Sequence, residues 1–144
     1  MMRQCATAIA LWALSILAVM STKTADEVAF NVVAYMPEYR LGWEPERWDL
    51  AARHLTHLIL FSLEIEEDGT LAATDRFPSK ELTKTIMEAK EKHNMKILIC
   101  FGGHSRSRGY SGMVSSKKNR QKFLENLSNF IKKHDLDGVD YNWE

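Results

Sequence analysis

The sequence is poor in cysteine: only Cys5 and Cys100 occur among 144 residues. Paired-cysteine metal sites and a disulfide framework are therefore excluded. It lacks an excess of either charge, with 19 basic residues against 19 acidic ones. Bulk charge cannot then be what holds a nucleic acid or a membrane surface, and neither is an expected partner. Glycine is scarce and never spaced as G-x-G-x-x-G; Gly102-Gly103 lacks the third member of a dinucleotide turn. A P-loop, an H-E-x-x-H helix, repeats and low-complexity tracts are also missing. No cofactor and no metal is expected.

One long apolar run is present, Ala6 to Met20, behind Arg3 and broken only by Thr7 and Ser15. It falls short of the roughly 20 residues that a membrane span needs. Val19 and Ser21 are small enough to flank a cleavage point after Ser21. Residues 1–21 therefore read as a signal peptide, with a secreted, extracellular product and no membrane attachment after cleavage. An uncleaved anchor is the alternative. Cys5 leaves with that segment. Cys100 remains alone in an apolar strand, which predicts a buried, inert thiol.

From Ala29 onward apolar and amphipathic stretches alternate. Phe30 to Met36 predicts a first strand, ended by Pro37. Pro45 to His54 predicts a short helix with proline in its first turn. Leu58 to Leu63 predicts a second strand, apolar on both faces as in a buried parallel sheet. Asp68-Gly69 signals a tight turn that could extend it into a hairpin. Ser79 can cap a helix carrying Leu82, Ile86 and Ala89, closed by Asn94. Ile97 to Phe101 predicts a third strand, running into the glycine pair. Ser115 or Ser116 opens a helix striped with Phe123, Leu124, Leu127, Phe130 and Ile131. Val139 to Trp143 predicts a fourth strand. Four β–α units in succession imply an α/β fold with a parallel sheet. An open doubly wound sheet and a (β/α)8 TIM barrel both begin this way, and periodicity does not separate them.

The chemistry concentrates in Asp137-Gly138-Val139-Asp140-Tyr141-Asn142-Trp143-Glu144. Alternation along a strand points Asp140, Asn142 and Glu144 one way and Val139, Tyr141 and Trp143 the other. The first set is polar on a strand that should be buried, and such groups cost several kcal/mol each unless paired or used. A structural hydrogen-bonded row is one reading. An active site at the C-terminal end of a barrel strand is the other.

This stretch resembles the D-x-x-D-x-D-x-E signature of the family 18 glycoside hydrolases, the chitinase-like family. Lys96 to Gly103 resembles that family's third-strand S-x-G-G segment, with Cys100 where serine is usual. Val33-Ala34-Tyr35 resembles the first strand, and His57 to Phe61 the second. The resemblance implies a TIM barrel of about 250 residues or more, of which residues 22–144 would be the N-terminal half, truncated after the fourth strand. It implies hydrolysis of β-1,4-linked N-acetylglucosamine polymers, chitin or related glycans, by a substrate-assisted retaining mechanism. Glu144 matches the acid, Asp140 the inner relay member and Asp137 the outer, more structural one. Asn142 stands where the family has the carboxylate that orients the acetamido group; an amide accepts the same N–H without bringing charge. Tyr35 and Phe61 match aromatics lining the sugar pocket, ordinary core packing being the alternative. The fragment alone is expected to be inactive. A chitooligosaccharide-binding, lectin-like member and an endo-β-N-acetylglucosaminidase acting on glycoprotein glycans are the rival readings. His104 reads as incidental, the Asn126-Leu127-Ser128 sequon as uncertain in use, and the Lys117, Lys118, Arg120, Lys122 cluster as a solvated helix face.

Overall fold

A computed structural model describes residues 30–144; the expected signal peptide, 1–21, lies outside the described residues. The elements run β1 (Val33–Pro37), a 3-10 turn (Glu38–Arg40), α1 (Pro45–Ala52), β2 (His57–Ile65), β3 (Leu71–Ala72) and a second 3-10 turn (Thr74–Arg76). They continue with α2 (Lys80–His93), β4 (Lys96–Gly102), α3 (Tyr110–Ser115), α4 (Lys117–His134) and β5 (Gly138–Asn142). Strands β1, β2, β4 and β5 lie side by side in that order, every pair parallel. This is the α/β arrangement of the first part of a (β/α)8 barrel.

Local chemistry accounts for the boundaries. The Ser79 hydroxyl accepts the Leu82 N–H at 3.3 Å and opens α2, and Asn94 closes it in the left-handed conformation. Ser116 does the same for α4 by accepting from Asn119. The expected hairpin forms: β2 runs on to Ile65 and pairs antiparallel with β3, around Gly69 at φ +88°. Most boundaries shift by a residue or two, α1 for example ending at Ala52 and not His54, and two shifts matter most. β1 starts at Val33, not Phe30, and β5 ends at Asn142, leaving Trp143 outside the sheet.

One face of the sheet presents Met36, Leu58, Leu60, Ile97, Ile99 and Phe101 to a core completed by Trp48, Ile86, Phe123 and Leu127 from the helices. The α4 face expected to be solvated is partly employed. Lys122 bonds the Asp68 carboxylate at 2.5 Å, and Asn119 and Asn126 donate to the Glu67 and Gly69 carbonyls. The sequon asparagine thus spends its amide on the hairpin turn.

Candidate active site

Alternation places Tyr35, Ile59, Leu98, Cys100 and Asp140 on the sheet face turned away from the helices. Register brings them together: Tyr35 lies opposite Ile59, Cys100 opposite Asp140 and Gly102 opposite Asn142. At the C-terminal strand ends a depression of about 470 Å³ is lined by Tyr35, Pro37, Tyr39, Phe61, Asp140, Tyr141 and Asn142. Four of the six expected site residues are therefore neighbours. Their surroundings are polar at one point and aromatic elsewhere.

Asp140 accepts the Tyr35 hydroxyl at 3.2 Å. Partial burial and the Asp140 charge both push the Tyr35 phenol upward, so it stays a donor. Cys100 is fully buried and free, as expected for an inert thiol. Burial first, then contact with Asp140, pushes its pKa far up. The Asp140 side chain thus meets a neutral phenol, while the Cys100 thiol across from it donates to the Phe101 carbonyl at 3.6 Å.

The glycine pair shapes the floor. Gly102 and Gly103 hold φ +88° and +92°, where a side chain would be strained. A Cβ on Gly103 would also stand 2.6 Å from the Phe61 ring and 3.2 Å from the Asn142 amide nitrogen. The Asn142 carbonyl accepts the Gly103 N–H at 2.6 Å and the Ser107 hydroxyl at 3.1 Å, tying the β4 loop to the end of β5.

Glu144 and Asp137 lie elsewhere. β5 has ended before Glu144, so the expected alternation stops short of it. Its backbone N–H reaches Ser107 Oγ at 3.2 Å, while its exposed side chain borders a separate hollow with Ser105, Arg108 and Trp143. Trp143, expected at a sheet-to-helix interface, is 53% exposed and stacks on Tyr110 with centroids 5.0 Å apart. Asp137 stands at the opposite end of β5. It accepts the Ile97 N–H at 2.9 Å, Lys96 at 3.2 Å and Lys90 at 3.1 Å. Burial opposes its ionisation, but these three donors hold its carboxyl below the usual range.

Sequence reasoning missed the polar framework behind the depression. Arg106 bonds both Glu38 oxygens, at 2.6 and 3.3 Å, and the Ser62 hydroxyl at 2.9 Å. Ser62 donates onward to the Gly102 carbonyl at 2.9 Å. A serine inside the apolar run Leu58–Leu63 was the available signal, since a buried hydroxyl needs a partner. His104 is exposed and outside the depression, which fits an incidental role. A second, more apolar cavity of about 510 Å³ lies between β1 and α1, lined by Trp43, Trp48, Leu55, Leu58 and Met95 among others. It holds none of the strand-end carboxylates.

The family model described as glycosyl hydrolases family 18 matches residues 31–144. The chain belongs to that family. Among curated family 18 relatives, the endochitinase of Manduca sexta is 28% identical over 135 residues, covering 88% of this chain and 24% of the relative. A solved structure of Ostrinia furnacalis Group IV chitinase in complex with allosamidin aligns with a TM-score of 0.67 at 29% identity, over 79% of this chain and 33% of that one. Human YKL-39, described as a pseudo-chitinase with retained chitooligosaccharide binding properties, aligns at 0.63 and 27% identity, over 80% and 33%. This family 18 chain thus spans about a quarter to a third of the length of these relatives.

Proposed function

We propose that the complete protein is secreted, after loss of residues 1–21, and hydrolyses β-1,4-linked N-acetylglucosamine polymers. Residues 22–144 supply the first three β–α units of its barrel and the fourth strand. The observation that carries this reading is the strand-end depression, where Asp140, bonded to Tyr35, shares the lining with Asn142 and with Phe61, whose ring meets that of Tyr35 edge-on. In the proposed reaction the substrate's acetamido carbonyl attacks its own anomeric carbon as the glycosidic C–O bond breaks. Glu144 gives its proton to the leaving oxygen and later takes one from the water that opens the oxazolinium ion. Asn142 accepts the acetamido N–H, and the negative charge of Asp140 offsets the cationic intermediate.

Glu144 needs one further step to join its partners. The outer edge of β5 carries no strand among the described residues. A neighbour pairing there would extend β5 through Glu144 and restore the alternation that points it toward Asp140 and Asn142. The outer edge of β1 is likewise unpaired among the described residues. Residues 22–144 alone, lacking both neighbours, should show no turnover.

A second reading, glycan binding without cleavage, is favoured by Asn142, which brings no charge to the site, and by the likeness to YKL-39. One experiment separates them: oligosaccharide release from chitin by the complete protein and its Glu144→Gln variant. Hydrolysis predicts release by the native protein and a kcat about a hundredfold lower in the variant, with binding kept. Binding without release in the native protein would establish the lectin-like reading. Equal turnover in the variant would remove Glu144 from the mechanism, and release from glycoprotein glycans alone would change the substrate class.

A further inference from the structure

We infer that Arg106 is a positioning residue for the depression: it locks the turn carrying Tyr39 to the stretch of β2 carrying Phe61 and so fixes the spacing of the two rings. The inference rests on the reading of that depression as a glycan site. Tyr39 lines it yet is 76% exposed, with the Arg40 guanidinium 5.9 Å from its ring. A ring so exposed gains little position from packing; its place depends on the backbone that carries it. That backbone is the Glu38–Arg40 turn, and the Glu38 carboxylate is gripped at both oxygens by Arg106.

The same guanidinium reaches the second wall. It donates to Ser62 Oγ, and its carbon lies 5.4 Å from the centre of the Phe61 ring. Arg106 is itself held by its N–H to the Gly103 carbonyl at 2.8 Å, in a turn where Gly102, Gly103 and Ser105 all have positive φ. The ends of β1 and β4 and the middle of β2 thus meet on one side chain. Arg106 and Glu38 side chains are only 23% and 21% exposed, against 79% and 66% for the surface pair Lys84–Glu88, so solvent screens the bond far less. A planar fork can satisfy Glu38 and Ser62 together; the single ammonium of lysine cannot reproduce that geometry. The core beneath is packed by Leu58, Ile97 and Phe101 without help from Arg106, so the fold does not hang on it.

The test is titration calorimetry of the full-length protein with a tetramer of N-acetylglucosamine, with thermal melting in parallel. Arg106→Met should weaken binding about tenfold, because the walls must then be ordered by the ligand at its own cost. Glu38→Gln should follow it, Arg106→Lys should recover part of the loss, and Arg106→Met should add nothing in a Tyr39→Ala background. Should Arg106→Met fail to fold, Glu38→Gln carries the same expectation. Unchanged affinity, or losses that add fully to Tyr39→Ala, would make the residue merely structural and overturn the inference alone. A native protein that binds no such oligomer would overturn the glycan reading, and the inference with it.

Discussion

At the start of β5, Asp137 is surrounded by two lysines and a backbone N–H; at its finish, Asp140 faces a phenol and a thiol, with Asn142 beyond it. The two carboxylates share a strand and differ in everything that decides use. Asp137 has its charge answered within the fold, and nothing is left over for a ligand. Asp140 accepts from the Tyr35 hydroxyl and forms no ion pair among the described residues, so it is left uncommitted toward a positive group arriving from outside. A buried carboxylate is costly when uncompensated, and a fold keeps such a group only where something else answers the charge. The lesson is that pairing, and not residue type, separates the structural acid from the chemical one.

That contrast breaks most visibly under neutralisation at the finish. Asp140→Asn in the complete protein should lower kcat by about a hundredfold or more, with thermal stability nearly unchanged. A variant that keeps its turnover would put Asp140 in the same class as Asp137.

Neutralisation at the start should do the reverse. Asp137→Asn removes charge-assisted bonds from Lys90, Lys96 and the Ile97 N–H, and should cost about 2 kcal/mol in urea unfolding, with kcat per folded molecule retained. The pH dependence carries the same signature. The Asp137 carboxyl is held below its ordinary value in the folded protein. Its stabilisation is therefore complete above the unfolded value of about 4 and disappears as pH falls through the lower folded value. Unfolding free energy measured from neutral pH down into that acid range should fall less in Asp137→Asn than in the native protein. Parallel curves would show that the lysines do not pair with this carboxyl.

The smallest expected effect sharpens the comparison. Asn142→Asp places a second unanswered charge beside the first, where the intermediate is cationic, and should raise kcat by up to about tenfold. The gain is limited because neighbouring carboxyls titrate together and one is protonated part of the time. A variant slower at every pH would mean that the site has adapted to the amide.

Most of the framework was legible in the sequence because it depends on local and periodic signals. Apolar runs located β2, β4 and β5, and Ser79, Asn94 and Ser116 marked helix ends through bonds made within four residues. Asp140 and Asn142 were legible as a pair through strand alternation, and Tyr35 and Phe61 through the family resemblance; the sheet register then brings the four together. Arg106 was not legible. Its partners Glu38 and Ser62 lie 68 and 44 residues away, one in the turn after β1 and one within β2, and their approach depends on the assembled sheet. The place of Glu144 was misjudged for a related reason: alternation holds only while a strand lasts, and β5 stops at Asn142. The short helix α3 escaped notice because six residues around Gly112 carry too little periodicity to announce a helix.

The order of strands in space is also the order in which a ribosome would deliver them. Each new strand finds its partner already present: β2 beside β1, β4 beside β2, β5 beside β4. At about 5–20 residues per second, every unit has seconds to dock before the next emerges, far longer than the microseconds in which a hairpin or helix forms. Assembly can therefore proceed by accretion at one advancing edge. No early strand has to wait, exposed, for a partner made at the far end of the described chain, and β5 offers the next strand the same kind of template that β4 offered it.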